Sequence, residues 1–309
     1  MHRRLWICAL ISTSAALAWD GDRYKEDFRH SFPLNSNGRV SLEGFNGSIE
    51  VTGWDRNEIE ITGTKYASSE DFLKAIKINI SNTPDSITVR TDRPNRDGGS
   101  WLRNEGGGVR FTVRVPKKAQ LDRVSSSNGS IRLEDVDGNA RLNSSNGTIR
   151  ANRVNGNLEV STSNGGIELL DINGGMNLRT SNGAIRVDNA KGAFEAQTSN
   201  GAIRARLDQI PPSSMIRATS SNGTIDLTLP SFSSNEVRAT TSNSSITVHL
   251  PPTVNAQLHA ATSNANITSD FDVTIRGALS KNRLDGKLGN GGGLIDLTSS
   301  NGSIKILKM

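Results

Sequence analysis

Apolar and polar positions alternate in short bursts, and the bursts return at a fixed interval. The segment "SSNGSIRLEDVDGNARLN" (126–143) is followed at once by "SSNGTIRANRVNGNLEVS" (144–161). With the asparagine as anchor, copies start at Asn128, Asn146, Asn164, Asn182 and Asn200, eighteen residues apart. They continue at Asn222, Asn243 and Asn264, with a last copy at Asn301 and an early one at Asn46. Three places after the anchor stands an isoleucine: Ile131, Ile149, Ile167, Ile185, Ile203, Ile225, Ile246, Ile267 and Ile304. Two places further on comes a second apolar residue, such as Leu133, Ala151, Leu169 or Val187, with a polar residue between. A second alternation follows in each unit: Ala140/Leu142, Leu158/Val160, Met176/Leu178, Phe194/Ala196. Period two over a few residues predicts half-buried strands, two per unit, separated by turns such as "VDGN" and "INGG".

A repeat near twenty residues fits either a meander of hairpins across the Asn-Gly turns or a solenoid whose strands pair with their equivalents one coil on. A meander repeats the hydrophobic pattern, whereas a solenoid also repeats residue identity, because like stacks on like. Identity repeats here: the residue before each anchor is serine at 127, 145, 163, 181, 199, 221, 242, 263 and 300. The expected fold is therefore all-β, a parallel β-solenoid with about 18–22 residues per coil. In it Asn128, Asn146, Asn164, Asn182, Asn200 and Asn222 form a structural corner ladder, each amide bonding to the one above and below. The glycine after each anchor is expected to permit a positive-φ corner.

The rest of the chain divides around this region. Residues 1–18 read as a signal peptide: basic "MHRR", an apolar run, and "ALA" ending at Ala18. The run is too short to span a membrane. Residues 19–35 form an N-terminal segment, and residues 36–120 a β-rich N-terminal cap with one helix in "SSEDFLKAIK", capped by Ser68 or Ser69. Residues 121–309 carry the solenoid repeats, with a C-terminal closing coil whose Lys305 and Lys308 discourage end-to-end association. Trp54 is expected to pin the cap to the first coil, and Trp101 lies in a glycine-rich loop.

Composition narrows the chemistry. Of 309 residues 34% are hydrophobic but only 5% aromatic, which suits a thin core of small aliphatics. The single cysteine, Cys8, lies in the leader, so an exported chain has no disulfide or thiolate site. Without Arg3 and Arg4 the formal charge of +5 falls to +3, too little to imply nucleic acid.

The blocks "GSIEVTGWDRNEIEITGTK", "RVPKKAQLDRV" leading into "SSNG" repeats, and "GNGGGLIDLTSSNGSIKI" resemble a bacterial family of unknown function. Its members are usually described as candidate adhesins with β-strand (Ser-Asn-Gly-x-Ile) repeats. The likeness covers about residues 36–309 and implies an exported, envelope-associated β-solenoid, located in the periplasm, cell envelope or outside the cell. It brings no catalytic residues and no cofactor.

A search for chemistry agrees with that implication. A glycan-cleaving site needs clustered carboxylates on one open sheet, but Glu134, Glu159, Glu168, Asp188, Glu195 and Asp226 are scattered among bases. Repeat-bound calcium needs an aspartate where each corner here carries isoleucine, and of the histidines His2, His30, His249 and His259 the last two have no partners at zinc spacing. No nucleophile elbow or phosphate loop is present. One outward column stands out: Arg132, Arg150, Glu168, Arg186 and Arg204, with Arg206 and, one position over, Arg179. Guanidinium forks suit an anionic polysaccharide or a lipid head group, although a solvated, salt-bridged face has the same composition. The expected function is a non-enzymatic binding or structural module of the cell envelope. An envelope-stress signalling component acting by contact with an envelope protein is the alternative, and a carbohydrate-active enzyme a third. The stripe lacks the interleaved aromatics of single-strand nucleic-acid binders.

Overall fold

The computed structural model describes residues 23–93, 106–275 and 280–309. Residues 1–18, expected as a signal peptide and containing Cys8, and Trp101 lie outside these residues. The N-terminal elements are β1 (Tyr24–Pro33), β2 (Arg39–Gly44), β3 (Ile49–Trp54), β4 (Glu58–Ala67), α1 (Glu70–Ala75), β5 (Lys77–Asn82), β6 (Ser86–Asp92) and β7 (Gly107–Pro116). The repeats give β8 (Gln120–Ser126), β9 (Ile131–Val136), β10 (Ala140–Ser144), β11 (Ile149–Asn155), β12 (Leu158–Thr162), β13 (Ile167–Asn173), β14 (Met176–Arg179), β15 (Ile185–Lys191) and β16 (Phe194–Thr198). They continue with β17 (Ile203–Gln209), β18 (Met215–Ser220), β19 (Ile225–Thr228), β20 (Glu236–Thr241) and β21 (Ile246–Leu250). The C-terminal strands are β22 (Ala256–Thr262), β23 (Ile267–Ser269), β24 (Val273–Ile275), β25 (Arg283–Leu288), β26 (Gly293–Ser299) and β27 (Ile304–Lys308).

Each coil contributes one strand to each of two facing sheets. The first sheet runs β1-β4-β7-β3-β9-β11-β13-β15-β17-β19-β21-β27-β23. The second runs β24-β25-β22-β26-β20-β18-β16-β14-β12-β10-β8-β2-β6-β5. Within the repeats every pairing is parallel, and the anchor column is in register from Ile131 to Ile149, Ile167, Ile185, Ile203, Ile225 and Ile246; the register shifts within β15–β17 after Val187 and within β8–β10 between Ala140 and Leu142. The chain is thus a parallel β-solenoid. The anchor isoleucines are buried, as are the facing columns of the second sheet, Ala140, Leu158, Met176 and Phe194 among them. Inner side chains from the two sheets meet directly, which is why few aromatics are needed.

The asparagine corner carries two stacked hydrogen-bond columns. On the outside, each anchor amide donates from Nδ2 to Oδ1 of the anchor in the neighbouring coil at 2.5–2.8 Å, unbroken from Asn46 through Asn128 to Asn243, Asn301 and Asn264. On the inside, the residue two places before each anchor from Asn128 on is a buried serine or threonine. Thr180 Oγ1 accepts from Gly183 N at 3.2 Å and donates to Gly165 O of the preceding coil at 3.0 Å. Ser144, Thr162, Thr198 and Ser220 repeat both bonds. Thr180→Val should lower stability by about 2–4 kcal/mol, because a buried N–H and C=O each lose a partner at about 1–3 kcal/mol. Thr180→Ser, which keeps both bonds, should cost about 1 kcal/mol or less. Equal midpoints for the two variants in denaturant would refute this role.

Apart from Gly47, with φ of 104°, the corner glycines are not where φ is positive. Gly129, Gly147, Gly165, Gly183 and Gly201 are not among the left-handed residues, which lie instead at the second turn: Asp135, Arg153, Asp171 and Asn189, with φ of 53–59°. Aspartate and asparagine tolerate that region. Arg153 is held there by a two-pronged bond to Asp135 at 2.6 and 3.0 Å, and that bond in turn holds the Asp135 carboxyl below its ordinary pKa. The corner glycines answer a different demand, close approach of the coil beneath, since a Cβ on Gly165 would stand 2.0 Å from Gly147 O.

Both ends depart from sequence order. Residues 36–120, expected as a cap, themselves supply two coils: β2 and β3 stack on β8 and β9, and β6 and β7 stack outside β2 and β3. The edges beyond them are antiparallel, β5 on β6 and β1 on β4 on β7. Helix α1 forms with Ser69 as its cap, the hydroxyl accepting from Phe72 N, and buries Phe72 and Leu73. Trp54 does not pin a cap: its Nε1 donates to Glu58 O at 2.8 Å, and Arg56 and Arg114 lie over its ring. At the other end, β26 and β27 do not close the stack. They are inserted between β20/β21 and β22/β23, so Lys305 and Lys308 lie beside inner strands rather than at an edge. The short strands β23 and β24 hold the outer positions.

Candidate ligand groove and the arginine stripe

The outward column of the first sheet places Arg132, Arg150, Glu168, Arg186 and Arg204 side by side on successive strands. Two residues on, a second outward column runs Glu134, Asn152, Leu170, Asp188. Carboxylates from both columns neutralise the guanidinium groups. Arg132 meets Glu134 at 2.9 Å, Arg150 meets Glu168 at 2.7 Å, Arg186 meets Asp188 at 2.7 Å, and Arg206 meets Asp208 at 2.9 Å. Bonds to Glu168 and Asp188 push the pKa of Arg150 and Arg186 above the ordinary arginine value. The stripe shares a shallow depression of about 260 Å³ in which Leu170 is exposed. Arg179 is not part of it: β14 belongs to the other sheet, where Arg179 lies 3.9 Å from Glu195. Spacing along the chain could not separate the two sheets for a residue close to a turn.

The larger recess lies on the second sheet. A groove of about 860 Å³ crosses the first residues of β2, β8, β10, β12, β14, β16 and β18. Seven strands at about 4.8 Å give it a length of about 29 Å along the solenoid axis. Its floor shows the outward column Arg141, Glu159, Asn177, Glu195 and Arg217. At one end the charges are already matched, Arg39 with Asp122 at 2.6 Å and Arg141 with Glu159 at 2.8 Å. Two buried polar atoms further along have no hydrogen-bond partner: Asn177 Oδ1 on β14, and Arg217 Nε on β18 at the far end, where Arg217 Nη2 donates to Met215 Sδ at 3.5 Å. One rim is a ladder of side-chain caps: Gln120 Oε1 accepts from Asn139 N, Asn139 Oδ1 from Asn157 N, and Asn157 Oδ1 from Gly175 N. Met215, 42% exposed, forms an apolar lip. The column was visible in the sequence at eighteen-residue spacing, but nothing there distinguished it from the stripe. The unpartnered atoms are a tertiary feature.

The six corner asparagines, Asn128, Asn146, Asn164, Asn182, Asn200 and Asn222, are exposed yet largely engaged with one another. Among the described residues, no group of three or more His, Cys, Asp or Glu side chains is arranged to hold a metal ion. His259 contacts Asp285, which Arg283 also binds at 2.6 Å. Hydrogen bonds from Arg283 first and His259 second hold that carboxyl below its ordinary pKa. No helix of the described residues is long and apolar enough to cross a membrane.

Two facing parallel sheets, in-register coils and a continuous corner ladder define a β-solenoid built from one short repeat. The model of the Toastrack family of unknown function (DUF4097) matches residues 35–250, and the chain belongs to that family. No curated protein matches. Solved structures with some likeness include a candidate adhesin from Bacteroides fragilis NCTC 9343, 12% identical, covering 91% of this chain and 97% of that one, with a TM-score of 0.38. Another is a candidate adhesin from Parabacteroides distasonis ATCC 8503, 8% identical over 91% and 97%, with a TM-score of 0.35. A third is a candidate cell adhesion protein from Clostridium sporogenes ATCC 15579, 11% identical over 92% and 100%, with a TM-score of 0.25. At such scores the likeness carries no argument, and the fold rests on the strand pairing above.

Proposed function

We propose that this chain is an exported, non-enzymatic, adhesin-like binding module of the cell envelope that holds a linear polysaccharide in the groove of the second sheet. The observation that carries this reading is the pair of unpartnered buried atoms, Asn177 Oδ1 and Arg217 Nε, on the floor of a long polar trough. A buried donor or acceptor left unpaired costs about 1–3 kcal/mol, and a side-chain rotation that turned either atom into the trough would let a ligand hydroxyl recover it. The groove is charge-balanced, so a neutral or weakly acidic glycan suits it better than a polyanion. Its one aromatic lining residue, Phe194, is buried, so recognition rests on hydrogen bonds rather than ring stacking. The arginine stripe is a weaker candidate, since most of its guanidinium groups are already paired with carboxylates.

The test is retention of residues 19–309 on cellulose, dextran and polygalacturonate at low and moderate salt. Retention on a neutral glycan should survive moderate salt and fall about 10-fold or more in Asn177→Ala/Arg217→Ser, the loss of hydrogen bonds worth about 1.5–3 kcal/mol. The Arg132→Ser/Arg150→Ser/Arg186→Ser/Arg204→Ser variant should bind as the parent does. Binding confined to polygalacturonate at low salt and lost in the arginine variant would overturn the groove in favour of the stripe. Retention on none of the three would overturn glycan binding and favour contact with an envelope protein.

A further inference from the structure

The first sheet ends in β1, ten residues long and exposed at eight of them. One edge of β1 pairs with β4, and no described strand pairs with the other. Open edges are usually shortened, as β23 and β24 are at the far end with three residues each. A long edge that is kept invites a partner strand.

The sequence of β1, "YKEDFRHSFP", says which partner. A two-fold axis normal to the sheet pairs β1 with its own copy in antiparallel fashion and keeps each residue on its own face, so only residues of like parity can stand opposite one another. With the axis at Asp27, Asp27 faces itself and Lys25 faces Arg29. With the axis at Arg29, Arg29 faces itself. Like charges directly opposite are destabilising. With the axis at Phe28 every clash disappears: Asp27 faces Arg29, Glu26 faces His30, Lys25 faces Ser31, Tyr24 faces Phe32, and Phe28 faces Phe28. Existing contacts would extend across the junction. Arg29 already bonds Glu60, Lys65 bonds Glu26 at 3.1 Å, and Thr64 bonds Asp27 at 2.7 Å. The aromatic row is also prepared, with Phe28, His30 and Phe32 at centroid separations of 6.0 and 6.3 Å.

We propose that two copies of this chain join by antiparallel pairing of β1 with β1 about a two-fold axis at Phe28, merging their first sheets into one. The two glycan grooves would then belong to one particle, so a polymer could be held at two places.

The test is sedimentation velocity of residues 19–309 with charge reversals. The parent should sediment as a dimer. Asp27→Arg, which sets a guanidinium at that position against Arg29 of the other copy, twice over, should raise the dissociation constant about 10-fold or more. The swap Asp27→Arg/Arg29→Asp restores opposite charges at both places and should restore the dimer, although it breaks the bond to Glu60. Circular dichroism confirms that each variant keeps its strands. A monomeric parent at every concentration, a dimer indifferent to Asp27→Arg, or a swap that stays monomeric while folded would each overturn the proposal.

Discussion

A chain ending at Gly292, without β26 and β27, is expected to lose the hydrogen-exchange protection of strands β22, β23, β24 and β25 while the coils from Ile131 to Arg206 keep theirs. The reason is the order of strands. Among the described strands, β22 pairs with β25 and β26, β23 with β27, and β24 with β25, while Ile267 N and Thr262 N donate to the carbonyls of Lys281 and Asn282 within the same segment. Every sheet bond holding β22–β25 to the solenoid therefore passes through the segment from Gly293 to the C-terminus. Coils in such a stack contact only their neighbours, so the loss does not propagate to the far end. Ile295, Ile304 and Ile306, with Leu297, are buried, and their removal also uncovers β20 and β21. Exchange mass spectrometry on the truncated chain decides the matter. Protection persisting in 256–288 would mean that β22 can dock directly on β20, as simple sequence order would have it.

The second large effect comes from adjacent glycines with opposite tolerances. Gly165→Ala should lower stability by about 3 kcal/mol, a fall in Tm of about 6–12 °C for a chain of this size. The added Cβ would stand 2.0 Å from Gly147 O and 2.5 Å from its carbonyl carbon. Those atoms cannot yield, because the coil spacing is set by ladder hydrogen bonds in both sheets at once. Gly166→Ala should change stability by about 1 kcal/mol or less, in either direction. Its Cβ would meet only Ala184 O, at 3.3 Å, and the same position holds Ala184 and Ala202 in the next two coils. Thermal unfolding of the two variants side by side separates close approach from generic glycine loss. Equal shifts would refute the steric account. Ser244 occupies the corner position in a later coil, where it is only half-buried, so the prediction is specific to the tighter corners.

How much of this was legible in the residues depends on what repeats. Serine before asparagine, isoleucine three after, and alternation on both strands recur through the coils from Ser127 on, and recurrence of identity is what in-register parallel stacking demands; the two coils before them lack the Ser-Asn pair. The serine or threonine two places before the anchor also recurs, but reads as one more polar residue until its burial is seen. The corner glycine was assigned the wrong duty, since a backbone needing positive φ and a backbone needing room both select glycine. The groove was not legible at all. Arg141, Glu159, Asn177, Glu195 and Arg217 repeat as visibly as the stripe does, and only their surroundings show that most guanidinium groups of the stripe are paired with carboxylates while Asn177 Oδ1 and Arg217 Nε, like Asn152 Oδ1 beside the stripe, have no partner.

The sequence by itself determined the coil: its length, its two strands, its apolar columns and its amide ladder, all set by interactions between equivalent residues in neighbouring turns. Tertiary structure decided the ends, because a coil's fit to the next is nearly the same whichever copy comes next in the chain. That degeneracy let β6 and β7 stack outside β2 and β3, and let β26 and β27 slip inside β22 and β23. It also decided part of the charge pairing: Arg150–Glu168 and Arg141–Glu159 join residues one coil apart, whereas Arg132–Glu134, Arg186–Asp188 and Arg206–Asp208 lie two residues apart on one strand.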